Sequence, residues 1–242
     1  MVYLIQQPTV VWEPKDMDIY TPQDSWNGLI QDLKTLLGFQ EDTESNSDFS
    51  YEDLNFPGLC NLKKLTRESK RFDILQTKCA SADFAIPHFH STALMNLLAW
   101  DHISIAYPLL TLQAQALIHP TYQLSRGVHA SAMIKYESRG FQLQHPIQRH
   151  SPVAAGYTTQ TFPCRLDICP LQERSFYDSQ ALLLPFTGDN ISYPKRSTLW
   201  ILGGEGCGEE GCEGQIEGWV EGDIETKEVI YQFCPIFSDK AT

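Results

Sequence analysis

The chain has 242 residues, 42% of them hydrophobic and 11% aromatic, and carries a formal net charge of −12. That is enough apolar material for one large domain and too much for a disordered chain. The acidity argues against general binding to nucleic-acid phosphates and against adsorption to anionic membranes, both of which need a basic surface.

The opening residues MVYLIQQPTVVWEPKD place no basic residue before the apolar run, and Gln6, Gln7 and Pro8 interrupt that run. A secretory signal needs both features, so the expectation is a cytoplasmic or nuclear protein that is not secreted. No stretch reaches the roughly 20 apolar residues of a membrane-spanning helix. Seven cysteines without an export signal are expected as reduced thiols.

In chain order, Val2–Ile5 and Thr9–Trp12 read as short strands, and the polar Lys15–Gln23 reads as a loop. Ser25 is an N-cap candidate, because its hydroxyl can accept from the orphan amides of a first helical turn. Leu29, Ile30, Leu33, Leu36 and Leu37 then recur at helical spacing, and Gly38 stands where a left-handed C-cap would end the helix. Residues 41–52, EDTESNSDFSYE, read as an acidic flexible loop. The basic residues Lys63, Lys64, Arg67, Lys70 and Arg71 are expected on the solvated face of a helix whose Leu62 and Leu65 turn inward.

Residues 86–120 contain no Lys, Arg or Glu; their only full charge is Asp101, and they hold His88, His90, His102 and His119. The spacing of Leu94, Leu97 and Leu98 predicts a helix running to Asp101–His102. Pro108 opens a second helix, Leu109–Ile118, and Leu124–Glu137 forms a third that ends at Gly140. Beyond Gly140, Phe141–Leu143, Ala181–Phe186, Leu199–Leu202, Gln215–Val220 and Val229–Phe237 are β-leaning, with a long connection at Gln144–Pro163. Glu221–Gly222–Asp223 reads as a tight loop between the last two. The predicted fold is a single α+β domain over 1–242. Its N-terminal helix and a central helical subdomain (86–140) pack on a mostly antiparallel C-terminal sheet within the β-rich part, 141–242.

Two residue sets could carry chemistry. Cys164 with Cys169 and Cys207 with Cys212 are evenly spaced pairs whose thiolates could complete a tetrahedral zinc site if their loops converge. The glutamates and glycines around the second pair oppose this, since acidic neighbours raise thiol pKa values. His88 and His90 would point the same way on an extended segment and, with His102 and Asp101, could bind a metal or act as acid and base. The plainer reading is satisfied histidines that cap the start of the central helix. The serine elbow G-x-S-x-G, the phosphate loop and the dinucleotide fingerprint are all missing.

The segments GLCNLKKL (58–65), IPHFHSTALMNLLAWDHISIAYPLLTL (86–112), IKYESRGFQL (134–143) and CPLQERSFYDSQALLLPF (169–186) resemble a family of uncharacterised fungal proteins. Some longer members of that family begin with an F-box-like segment, whose Leu-Pro opening the Ser25–Leu37 helix lacks. The resemblance implies a fungal, intracellular origin and supplies no catalytic residues. The leading expectation is therefore a non-catalytic intracellular interaction or scaffold protein with a protein partner, of which a degenerate adaptor would be one form. The alternatives are a zinc-stabilised module or metal-dependent enzyme, and an accessory protein of a fungal metabolic gene cluster. No cofactor is expected outside the zinc alternative.

Overall fold

The computed structural model describes residues 16–42, 56, 58–119, 130–144, 169–170, 172–188, 191, 193, 196–202, 218–223 and 229–230. Its first sheet is built from β1 (Asp16–Thr21), β2 (Gln40–Glu41), β3 (Leu59–Arg67) and β4 (Lys70–Thr77). They lie in the order β1-β4-β3-β2; β1 runs parallel to β4, and the other pairs are antiparallel. Helix α1 (Trp26–Thr35) connects β1 to β2 and buries Ile30 and Leu33 against Phe39, Leu65 and Ile74. Each such side chain contributes roughly 1.5–3 kcal/mol by leaving water. Ser25 sits at the N-cap without a side-chain capping bond, and Gly38 has φ 71°, the left-handed stop its position predicts. Leu36 and Leu37, assigned to the inner face by spacing, are instead exposed past the helix end.

The predicted basic helix is a β-hairpin. Arg67 pairs with Lys70 across the two-residue loop Glu68–Ser69, and Glu68 takes φ 55° there. Strand geometry sends the cations to different partners. Lys63 Nζ meets Glu41 Oε2 at 3.0 Å, Arg67 Nη1 donates to Leu37 O at 2.7 Å, and Arg71 reaches Asp73 and Asp16, each at 3.0 Å. What reads as one basic face in a helix is dispersed over a sheet. The Lys15–Gln23 segment, read as a loop, likewise contains β1 from Asp16 onward.

The central stretch departs furthest from expectation. Short 3₁₀ turns at Ile86–His88 and Thr92–Leu94 lead into β5 (Asn96–Leu98) and β6 (His102–Ile105), which form a hairpin. Helix α2 is a single turn, Pro108–Thr111, followed by β7 (Gln115–Leu117). Helix α3 (Ala130–Ser138) precedes β8 (Gln142–Gln144), which pairs parallel with β7. Then come β9 (Glu173–Arg174), β10 (Leu182–Pro185), β11 (Arg196–Ile201), β12 (Gly218–Asp223) and β13 (Val229–Ile230). Strand β10 joins the hairpin in the order β10-β6-β5, and a last antiparallel sheet runs β13-β12-β11-β9.

The α+β expectation of helices packed on a C-terminal sheet is therefore overturned. Among the described residues there are three α-helices, and strands in four small sheets dominate. The cause lies in hydrogen bonding. A run such as Leu94–Leu98 satisfies helical spacing, but its Asn96–Leu98 part pairs with β6, which β10 joins on the other edge, and the ladder wins. Gly222 and Asp223, expected in a tight loop, continue β12 in register with Ser197 and Arg196. The main core gathers Ile86, Met95, Tyr107, Leu110 and Leu117 from the central stretch with Phe176, Trp200 and Leu202. The predicted strands Val2–Ile5 and Thr9–Trp12, the acidic loop beyond Asp42 and the connection after Gln144 lie outside the described residues.

Candidate functional site

Of the histidines singled out by sequence, His88 ends the first 3₁₀ turn and His90 lies between the two turns, and both are buried. His88 lies edge-on to Phe84, with ring centroids 5.2 Å apart, beneath Gly58. At Gly58 φ is +82°, and a Cβ would come within 2.9 Å of Ala85 Cα and 3.0 Å of His88 Cδ2, so this position requires glycine twice over. The backbone N–H of His119 donates to His90 O at 2.8 Å, and the His90 ring meets Tyr136 at 5.2 Å. Burial holds His88 down to about 3, with His119 and Lys78 adding positive charge, and burial alone holds His119 to about 4. At neutral pH both are uncharged members of the core.

His102 is paired differently. Its Nδ1 lies 2.6 Å from Asp101 Oδ1, and its ring meets Tyr177 edge-on at 5.6 Å. A carboxylate at Nδ1 makes that nitrogen an N–H donor. Nε2 has no hydrogen-bond partner among the described residues. Tyr177 is pushed well above the ordinary tyrosine value by burial, then by the nearby Asp83 and Asp101 carboxylates.

Asp101 also organises the hairpin loop. Ala99 N–H donates to His102 O at 2.9 Å, so Trp100 and Asp101 are the two loop residues, and neither has positive φ. The loop therefore lacks the primed-turn backbone that matches strand twist. It is held by side chain and neighbour instead: the Asp101 carboxylate folds back on His102, and Asp101 O accepts from Phe186 N–H at 2.8 Å. Trp100 is left at the tip, 81% exposed.

Behind Trp100 the register aligns Leu98, Ile103 and Leu184 in one row across β5, β6 and β10. Leu98 is 48% exposed, Leu184 is 40% exposed, and Phe186, two residues along from Leu184, is 50% exposed. Residues 96–105 and 181–188 contain no Lys, Arg or Glu, and their one carboxylate, Asp101, is turned inward and buried. The outer face of this sheet is an uncharged apolar strip that ends in two aromatic rings.

Sequence reasoning missed two buried polar joints. Asp83 accepts from Ser81 Oγ, from Ser197 Oγ at 2.7 Å, and from Thr198 Oγ1 and N–H at 2.7 and 3.2 Å, tying the segment before Ile86 to β11. Arg174 donates through Nε to Asp178 at 2.7 Å and through Nη2 to Ala106 O, and its guanidinium lies 4.6 Å from the centre of the Tyr107 ring. Asp178 had a local signal, since an Asp in S-F-Y-D-S-Q suits a turn whose amides it caps. It accepts from the N–H groups of Ser175, Gln180 and Ala181. Asp83 had no signal for its joint to β11, because Ser197 and Thr198 lie more than a hundred positions away.

Of the proposed zinc ligands, Cys169 is buried, and Cys164, Cys207 and Cys212 lie outside the described residues. Among the described residues, no group of three or more His, Cys, Asp or Glu side chains is placed to hold a metal ion. Nor is any helix among them long and apolar enough to cross a membrane. Fold and site together define a strand-rich protein of small sheets, one of which presents an uncharged apolar face. No family model, curated protein or solved structure matches the chain.

Proposed function

We propose that this is an intracellular interaction protein that docks a protein partner on the outer face of the β5–β6–β10 sheet. The observation that carries the reading is the row Leu98–Ile103–Leu184 with Trp100 and Phe186 at its end, in which Ile103 is half-buried and the other four are exposed. Apolar surface left in water forgoes about 25 cal/mol per Å², and a contiguous patch of this kind marks a contact site. Tryptophan is among the residue types that most often dominate binding energy at a contact. Within this reading the Asp101–His102 pair has a positioning role, since it holds the loop that presents Trp100.

Affinity capture with the full chain tests this. Trp100→Ser and Phe186→Ser should each release the bound partner while leaving the circular dichroism spectrum unchanged. Leu36→Ser, at an exposed apolar residue just past α1, should release nothing. A bound set that is identical with and without Trp100 would sink the reading.

A further inference from the structure

We infer that the occupant of this face is a second copy of the same chain, packed sheet against sheet through Leu98, Ile103 and Leu184. The inference rests on reading the face as a docking surface, and it names the partner.

The first argument is charge. A partner recognised electrostatically needs charges to answer, and neither 96–105 nor 181–188 offers an exposed one. The surface that best matches an uncharged apolar sheet face is another such face, and this chain supplies one. The second argument is symmetry. A two-fold axis along β6 sets Ile103 against its own counterpart and Leu98 of one copy against Leu184 of the other. The same rotation brings Trp100 of each copy toward Phe186 of the other, because both residues lie at one end of the sheet. A closed isologous contact needs this kind of self-complementarity, and sheets pack face to face within about 30° of alignment. The third argument is area. The exposed parts of these side chains come to roughly 400 Å². A homodimer interface of about 800 Å² per copy is about 65% apolar, so the strip supplies most of an apolar centre.

The chain's charge of −12 adds a signature. Two like-charged copies repel at long range, so salt should tighten the dimer, whereas salt loosens an acidic protein's hold on a basic partner.

Sedimentation velocity of the full chain under reductant, from about 1 to about 100 µM, reads this directly. The expected result is a species of twice the 27.5 kDa chain mass, with association strengthening several-fold from about 0.05 to about 0.5 M salt. Trp100→Ser and Leu184→Ser should each weaken it at least about tenfold, and Leu36→Ser should not. A monomer at every concentration and both salts overturns the inference, as does a dimer indifferent to Trp100. If the monomeric chain still captures a foreign protein through Trp100, the docking reading stands and the self-association inference alone falls.

Discussion

Asp83 shows how much of this fold hangs on single polar side chains. It is buried, and its two oxygens accept from the hydroxyls of Ser81, Ser197 and Thr198 and from Thr198 N–H. Asp83→Ala would leave three hydroxyls and a backbone N–H without that acceptor, and the penalty for unpaired buried donors exceeds the net worth of the bonds. The expected loss is about 3 kcal/mol in urea unfolding; a loss below about 1 kcal/mol would mean that water or a shifted side chain replaces the carboxylate. Trp100 is the opposite case, a large side chain whose replacement should cost the folded monomer little and the docked state much. Sequence cannot separate the two roles. Both residues are lone interruptions in their segments, and only their distant neighbours make one a joint and the other a tip.

The elements differ in how legible they were. Helix α1 could be read because its signals are local: four-residue spacing, Ser25 before it and Gly38 after it. The β3–β4 hairpin could not, because Leu62 and Leu65 also fit helical spacing and the loop residues Glu68–Ser69 are not a glycine-bearing pair. Glu68 sits at φ 55°, where a side chain is disfavoured and glycine is not. Glu68→Gly should therefore stabilise the protein, by about 0.5–1 kcal/mol after the added freedom of the unfolded chain is counted. A thermal melt that moves downward would show that the loop backbone is held by something other than its own conformation. The β5–β6 hairpin escaped for a related reason. Its loop, Trp100–Asp101, carries no turn signature and depends on the N–H of Phe186, far along the chain, donating to Asp101 O. The candidate site was legible only in part: Asp101–His102 stood out as a pair, whereas the strip beside it exists only once β10 has joined β6.

At the scale of the whole molecule, the buried histidines set the response to acid. His88 and His119 titrate near 6.5 when unfolded and are held to about 3 and about 4 in the fold. As pH falls below about 6.5 the unfolded chain takes up protons first, so their contribution is complete above that pH and is lost progressively below it. Two such groups give a slope of up to about 3 kcal/mol per pH unit. Asp18 works the other way. Burial first, then Asp73 and Asp16, raise it to about 6, so acid favours its folded form between about 6 and 4. Its side chain is nonetheless exposed by surface area, and solvent screening makes its offset smaller than one histidine's contribution. The net expectation is a stability that falls between pH 6.5 and 4, measured by urea titration at each pH. The double variant His88→Gln/His119→Gln should flatten or reverse that trend. A variant with the wild-type slope would place the acid sensitivity elsewhere.

By itself the sequence determined the acidic surface, the amphipathic helix that ends at Gly38, and the burial of the charge-poor stretch around residues 86–119. Each of these follows from local composition or from hydrogen bonds that close within four residues. The tertiary structure alone decided that the centre is strands rather than helices, that Asp83 joins segments far apart in the chain, and that Leu98, Ile103 and Leu184 form one face. Strand hydrogen bonds are made to partners distant in sequence, so a short apolar run carries no record of whether its donors will be met by the next turn of a helix or by another strand.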